Sequence, residues 1–109
     1  MIVSACFSPL GMKSGRIPDK DITSSSSLTR EPAHGARLDA GTRWLYRADH
    51  DKHPWIQIKL HRKKNITGVA TQGAIGRITQ YYIAFSTNGS TWQNYTENGL
   101  VKVCTYSTY

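Results

Sequence analysis

Two carboxylates and two imidazoles crowd into Asp49-His50-Asp51-Lys52-His53, the densest set of metal-ligand side chains in the sequence. Imidazole nitrogen and carboxylate oxygen are ligands for zinc and neighbouring transition metals. A zinc set needs a cysteine or a third histidine within reach, and none is so placed; the Lys52 ammonium stands among the candidates instead. No oxygen-rich loop of calcium type stands out, so the metal is left unknown and no cofactor is expected. Catalytic chemistry lacks its parts as well. Paired carboxylates, a nucleophile elbow and a phosphate-cradling loop are missing, and the serines at 24–27 form a low-complexity tract. The residues read as those of a protein that is not an enzyme.

Fourteen Lys and Arg against seven Asp and Glu leave a formal net charge of +7. That excess favours anionic partners: nucleic acid, acidic lipid headgroups or sulfated glycans. The tightest basic run, His61-Arg62-Lys63-Lys64, reads as a solvated turn. No basic stripe is interleaved with stacking aromatics, which places a basic nucleic-acid-binding domain second. Three sequons stand at Asn65-Ile66-Thr67, Asn88-Gly89-Ser90 and Asn94-Tyr95-Thr96, each a glycan acceptor if the chain is secreted. Cys6 and Cys104 could close one long loop in an oxidising compartment or could be unrelated thiols. No apolar run approaches the ~18 residues of a membrane span, and residues 1–5 are too short for a secretory signal. An extracellular location therefore implies a targeting segment outside this chain, which would then be a fragment or an excised domain.

The elements that must position these groups follow from periodicity. At 109 residues and 39% hydrophobic, the chain is expected to form one domain. Residues 55–60, Trp-Ile-Gln-Ile-Lys-Leu, put Ile56, Ile58 and Leu60 on one face, the period of two of a half-buried strand. Residues 66–72 are expected to be its neighbouring strand. Pro9, Gly11, Gly15 and Pro18 exclude a helix before Ile22-Thr23, a short strand that leads into the serine tract, read as an exposed loop. Ala36-Arg37-Leu38 reads as another short strand. From 78 to 86, Tyr81, Ile83 and Phe85 alternate with Tyr82 and Ala84 as a strand with a buried face. Asn88-Gly89 is the strongest short hairpin signal, with residues 92–95 returning, Glu97-Asn98-Gly99 as a second turn and residues 100–103 alternating again. Turns every ~8–12 residues suggest an all-β sandwich or barrel. Trp55 and Trp92, at strand starts, are assigned to packing.

In order along the chain, the motifs resemble the discoidin domain, also called the coagulation factor V/VIII C-type domain. Cys6-x-x-Pro9-Leu10-Gly11-Met12-x-Ser14-Gly15-x-Ile17-Pro18-Asp19 and Ile22-Thr23-x-Ser25-Ser26 look like its opening. Ala36-Arg37-Leu38, Trp44, Trp55-Ile56-Gln57-Ile58, Thr67-Gly68-Val69-Ala70-Thr71-Gln72-Gly73 and Ser86-x-Asn88-Gly89-x-x-Trp92 continue it. The resemblance implies a jelly-roll β-sandwich, extracellular or on the cell surface, usually one module of a larger protein. It implies a non-catalytic adhesion module that recognises glycans, anionic phospholipid or a cell-surface or matrix protein through loops at one end. Calcium is known in some members. Family domains run on for about 40–50 residues more, so residues 1–109 are expected to be a single, partial domain without its C-terminal strands. In the family the closing cysteine pairs with the one matching Cys6, while Cys104 falls where cysteine is not usual. Lost strands would leave an open edge and favour association, or an inactive truncated fragment.

Three binding loops are implied by the same resemblance. The first carries Leu28, Thr29 and Arg30, with Leu28 at a position that is often apolar and exposed. The second spans residues 44–49 with Trp44, Arg47 and Asp49, the last matching a position that is acidic in some ligand-binding members. The third, residues 74–77, carries Ile75 and Arg77. An apolar tip flanked by arginines could enter a lipid surface, and arginines could equally hold sulfate or carboxylate. Leu28 and Ile75 could instead cap the core.

Overall fold

The computed structural model describes residues 9–72 and 78–105 and divides the chain into two compact units between residues 74 and 75. Among the described residues there are short strands, two 3-10 turns and no α-helix. The all-β character expected from periodicity is therefore present, in the form of two-stranded sheets.

In the first unit, β1 (Ile22–Ser24) pairs antiparallel with β2 (Ile56–Ile58), in the register Ile22↔Ile58, Thr23↔Gln57 and Ser24↔Ile56. The Lys59 N–H donates to the Asp21 carbonyl at 2.9 Å and the Ser25 N–H to the Trp55 carbonyl at 3.0 Å, which extends the ladder past both ends. Ile17, Ile22 and Ala33 form the buried core, and Met12, Trp44, Ile56 and Leu60 pack against it. Alternation predicted Ile56, Ile58 and Leu60 on one buried face. Ile58 nevertheless stays 41% exposed, because a two-stranded sheet shelters little surface.

The segment before β1 folds back on itself. The Ile17 N–H reaches the Gly11 carbonyl at 3.0 Å, and Gly11 holds φ +124. A Cβ on Gly11 would lie 2.6 Å from the Arg16 Cβ, so only glycine closes this loop. A 3-10 turn, Asp19–Asp21, follows Pro18 and leads into β1.

Two strands expected from the sequence are absent among the described residues. Residues 66–72 are no strand: β2 pairs with β1, and residues 61–72 are exposed throughout, with no surface against which a period of two could be buried. Ala36-Arg37-Leu38 is no strand either. Ala36 ends a 3-10 turn, Ala33–Ala36, and the chain then turns the Arg37 guanidinium inward, 13% exposed. Nη1 donates to the Met12 carbonyl at 2.6 Å, and Nη2 to the Ile17 carbonyl and to Asp19 Oδ1, both at 2.7 Å. One side chain thus ties the opening segment to the core.

The second unit holds three antiparallel pairs: β3 (Gln80–Tyr81) with β8 (Cys104–Thr105), β4 (Ala84–Phe85) with β5 (Gln93–Asn94), and β6 (Thr96–Glu97) with β7 (Leu100–Val101). The two-residue hairpin is Asn98-Gly99, whose φ values of 54 and 79 match the twist of β6 and β7. Asn88-Gly89 closes a wider loop instead. There the Asn88 and Gly89 N–H groups donate to Ser86 Oγ, and the Ser90 and Thr91 N–H groups to Asn88 Oδ1. Side-chain acceptors have replaced the cross-strand bonds of a tight turn. The expected buried faces are shallow, with Phe85 49%, Leu100 74% and Val103 53% exposed. Trp55 and Trp92, assigned to packing from the sequence, are 50% and 46% exposed. Cys104 is a free, half-buried thiol, and Cys6 lies outside the described residues.

Candidate functional site

Two of the three expected loops meet at the Ser24↔Ile56 end of the β1–β2 ladder. The chain leaves β1 through Ser25 and Ser26 and makes a turn in which the Glu31 N–H donates to the Leu28 carbonyl at 3.0 Å, with Thr29 and Arg30 exposed at its tip. Leu45 lies beside that turn: its carbonyl accepts from the Leu28 N–H at 2.9 Å, and its N–H donates to the Glu31 carbonyl at 3.2 Å. Leu28 itself is half-buried, so the exposed tip is polar and not the apolar one expected.

The serine tract is the knot between the loops and not a plain exposed loop. Ser25 Oγ and Ser26 Oγ each donate to Asp51 Oδ2 at 2.6 Å. Ser25 Oγ also accepts from the Trp55 N–H, and Ser26 Oγ from the Arg47 N–H, both at 3.0 Å. The Ser26 carbonyl takes the Trp44 indole N–H at 2.9 Å. Asp51 Oδ1 accepts from the His53 N–H at 3.3 Å. One carboxylate therefore joins residues 25–26, 44–47 and 51–55. The Ser25 hydroxyl bond, then that of Ser26, holds the Asp51 carboxyl below its ordinary pKa, against a smaller desolvation.

Among the candidates, Trp44 packs on the core and lies 6.3 Å from the Tyr46 ring, centroid to centroid, at 48°. Its indole N–H is engaged by the Ser26 carbonyl, which ties it to the loop. Arg30 and Arg47 are exposed. Asp49 is exposed and lies 3.1 Å from His50 Nδ1; that imidazole contact depresses its pKa most, and Arg47 adds the smallest share. Among the described residues no group of three or more His, Cys, Asp or Glu side chains is placed to hold a metal. Ile75 and Arg77 lie outside the described residues, whereas Asn65, Asn88 and Asn94 are all exposed.

Sequence reasoning missed Asp51, Ser25 and Ser26 as the knot. The available signal was a hydroxyl run directly at a strand end, where short polar side chains bond to nearby backbone. The partner carboxylate, 25 residues on, left no local trace.

The profile of the F5/8 type C domain matches residues 21–108. The chain belongs to this family. Its F5/8 type C domain is 41% identical over 108 residues to the EGF-like repeat and discoidin I-like domain-containing protein 3 of Homo sapiens, covering 86% of this chain and 22% of that protein. It is 35% identical to lactadherin of Rattus norvegicus over 113 residues, 90% of this chain and 26% of that protein. With coagulation factor VIII of Sus scrofa it shares 37% identity over 98 residues, 85% of this chain and 5% of that protein. The chain thus spans a small part of the length of these relatives. F5/8 type C domains are non-catalytic binding modules, in line with the missing catalytic groups. The opening segment through Asp19 falls before the matched span.

Proposed function

We propose that this F5/8 type C domain is an extracellular recognition module, one part of a larger multidomain protein, that meets an anionic phospholipid surface through the Leu28 turn and the 44–49 loop. The observation that carries the reading is the Asp51 knot. It joins two loops at one end of the ladder, and each loop presents an exposed arginine, Arg30 and Arg47. A rigid frame with two adjacent cationic loops suits a plane of headgroup charge, whereas the half-buried Leu28 offers no anchor to insert. The family supports a jelly-roll sandwich as the complete fold, and the relatives support the multidomain setting. An extracellular site would make the exposed Asn65, Asn88 and Asn94 sequons glycan acceptors.

Each arginine near an acidic bilayer contributes roughly 1 kcal/mol, or about fivefold in affinity. Retention on phosphatidylserine vesicles is expected to fall by about that factor for Arg30→Ala and again for Arg47→Ala, and to weaken with salt. Unchanged retention of the double variant would reject the loop end as the contact. Binding to a neutral glycan or a matrix protein, with vesicles ignored, would assign the module to that ligand instead.

A further inference from the structure

The opposite end of the same ladder, beyond the Ile22↔Ile58 pair, holds a hollow of about 260 Å³ between the opening segment and the chain that follows β2. Half of its wall comes from residues 9–18. Three cations line it: Arg16, Lys59 and Lys64. All three are exposed, and none forms an ion pair with a described residue.

The acidic residue in the wall, Asp21, is already satisfied. It is 8% exposed, and its Oδ1 lies 2.8 Å from His61 Nε2. Its N–H and carbonyl are spent on Pro18 and Lys59. His61 reaches it from a left-handed backbone, φ +66, a conformation that histidine seldom adopts and that the surrounding contacts must hold. The recess therefore holds a carboxylate already hydrogen-bonded within its wall, with three exposed positive charges around it. Cations gathered at a concave, partly apolar wall focus the field on whatever enters.

From this arrangement we infer that the hollow is a subsite for a sulfated sugar, separate from the Arg30 and Arg47 loops. The Arg16 fork and the two ammonium groups suit the sulfate oxygens. Leu10, 44% exposed, and Pro18 offer an apolar face to the ring. The volume lies just below the usual range for small-molecule sites, room for one ring of a sugar whose next ring extends into solvent. A flat bilayer surface, by contrast, does not fill a recess.

The test uses a sulfated heparin disaccharide titrated into isotope-labelled protein, with its desulfated counterpart as the second arm. Amide shifts are expected at Lys59, His61 and Lys64 with the sulfated sugar and not with the desulfated one. The variant Arg16→Gln/Lys59→Gln/Lys64→Gln should weaken binding at least about tenfold, as the loss of several charge-assisted contacts requires. Arg62→Gln/Lys63→Gln removes charge from the same basic run outside the hollow and should alter it by less than about twofold. A spectrum with native dispersion confirms that each variant is folded. The proposal is overturned if the disaccharide does not bind at roughly 10 mM, a Kd too weak to represent a site. It is equally overturned if both variants lose binding alike, or if the shifts fall on Arg30 and Arg47. None of these outcomes depends on vesicle retention, so this site and the loop end stand or fall separately.

Discussion

Replacing Arg37 by methionine removes two bonds from a cation to main-chain carbonyls, at 2.6 Å to Met12 and 2.7 Å to Ile17, while keeping much of the side-chain volume. Bonds to charged groups contribute about 1.5–3 kcal/mol each. The guanidinium also leaves water to make them, being 13% exposed, so the net loss is smaller than the sum. A destabilisation of about 2–4 kcal/mol is expected, since both carbonyls lose their partner beside the core. The Asp19 contact is left out of that figure, because Asp19 is 61% exposed and solvent competes for it. With a urea slope of about 1–3 kcal/mol/M, the unfolding midpoint should drop by roughly 0.7–4 M, read from tryptophan fluorescence. Arg37→Lys should recover part of the loss, since an ammonium can meet one carbonyl but lacks the fork that spans both. A midpoint for Arg37→Met within about 0.3 M of the parent would refute the reasoning, because that is near the error of extrapolated stabilities.

Acid should release the loop knot. The Asp51 pKa is lowered in the folded protein, first by Ser25 and then by Ser26, so the ionised carboxylate stabilises fully above its unfolded value of 3.8 and that stabilisation is lost as the pH falls through the folded value. Urea midpoints measured on descending pH should therefore fall less steeply below pH 3.8 for Asp51→Asn than for the parent, and parallel curves would dismiss the idea. Gly11→Ala should cost about 1–3 kcal/mol, because alanine meets both the positive φ and the Arg16 Cβ, and a thermal melt would show it.

What the sequence revealed depended on how local each cause was. Ile22-Thr23 and Ile56-Gln57-Ile58 were legible as strands, because a period of two is written into neighbouring residues. That β2 pairs with β1, 30-odd residues earlier, and not with residues 66–72 was not legible, since pairing is decided by which surface can be buried. Glu97-Asn98-Gly99 was readable as a turn because both central residues accept positive φ. Asn88-Gly89 carried the same signal, but Ser86 and Asn88 supplied acceptors that a dipeptide rule does not count. At the site, Arg30 and Arg47 came from the family pattern and are exposed. Leu28 and Trp44 came from it too, and they are half-buried, with bonds to Leu45 and Ser26 that local sequence does not announce. Arg37 looked like a strand residue because its carbonyl partners lie about twenty residues earlier.

The outward apolar residues of the second unit, Tyr82 at 62%, Leu100 at 74% and Val103 at 53%, bear on how the molecule behaves in a test tube. With a net charge of +7, copies should repel one another in dilute buffer, which keeps these apolar side chains apart. Counter-ions cut that repulsion to a range of about 10 Å at 0.1 M and about 3 Å at 1 M. Brine should thus turn a clear preparation cloudy, the reverse of the salting-in familiar from proteins near neutrality.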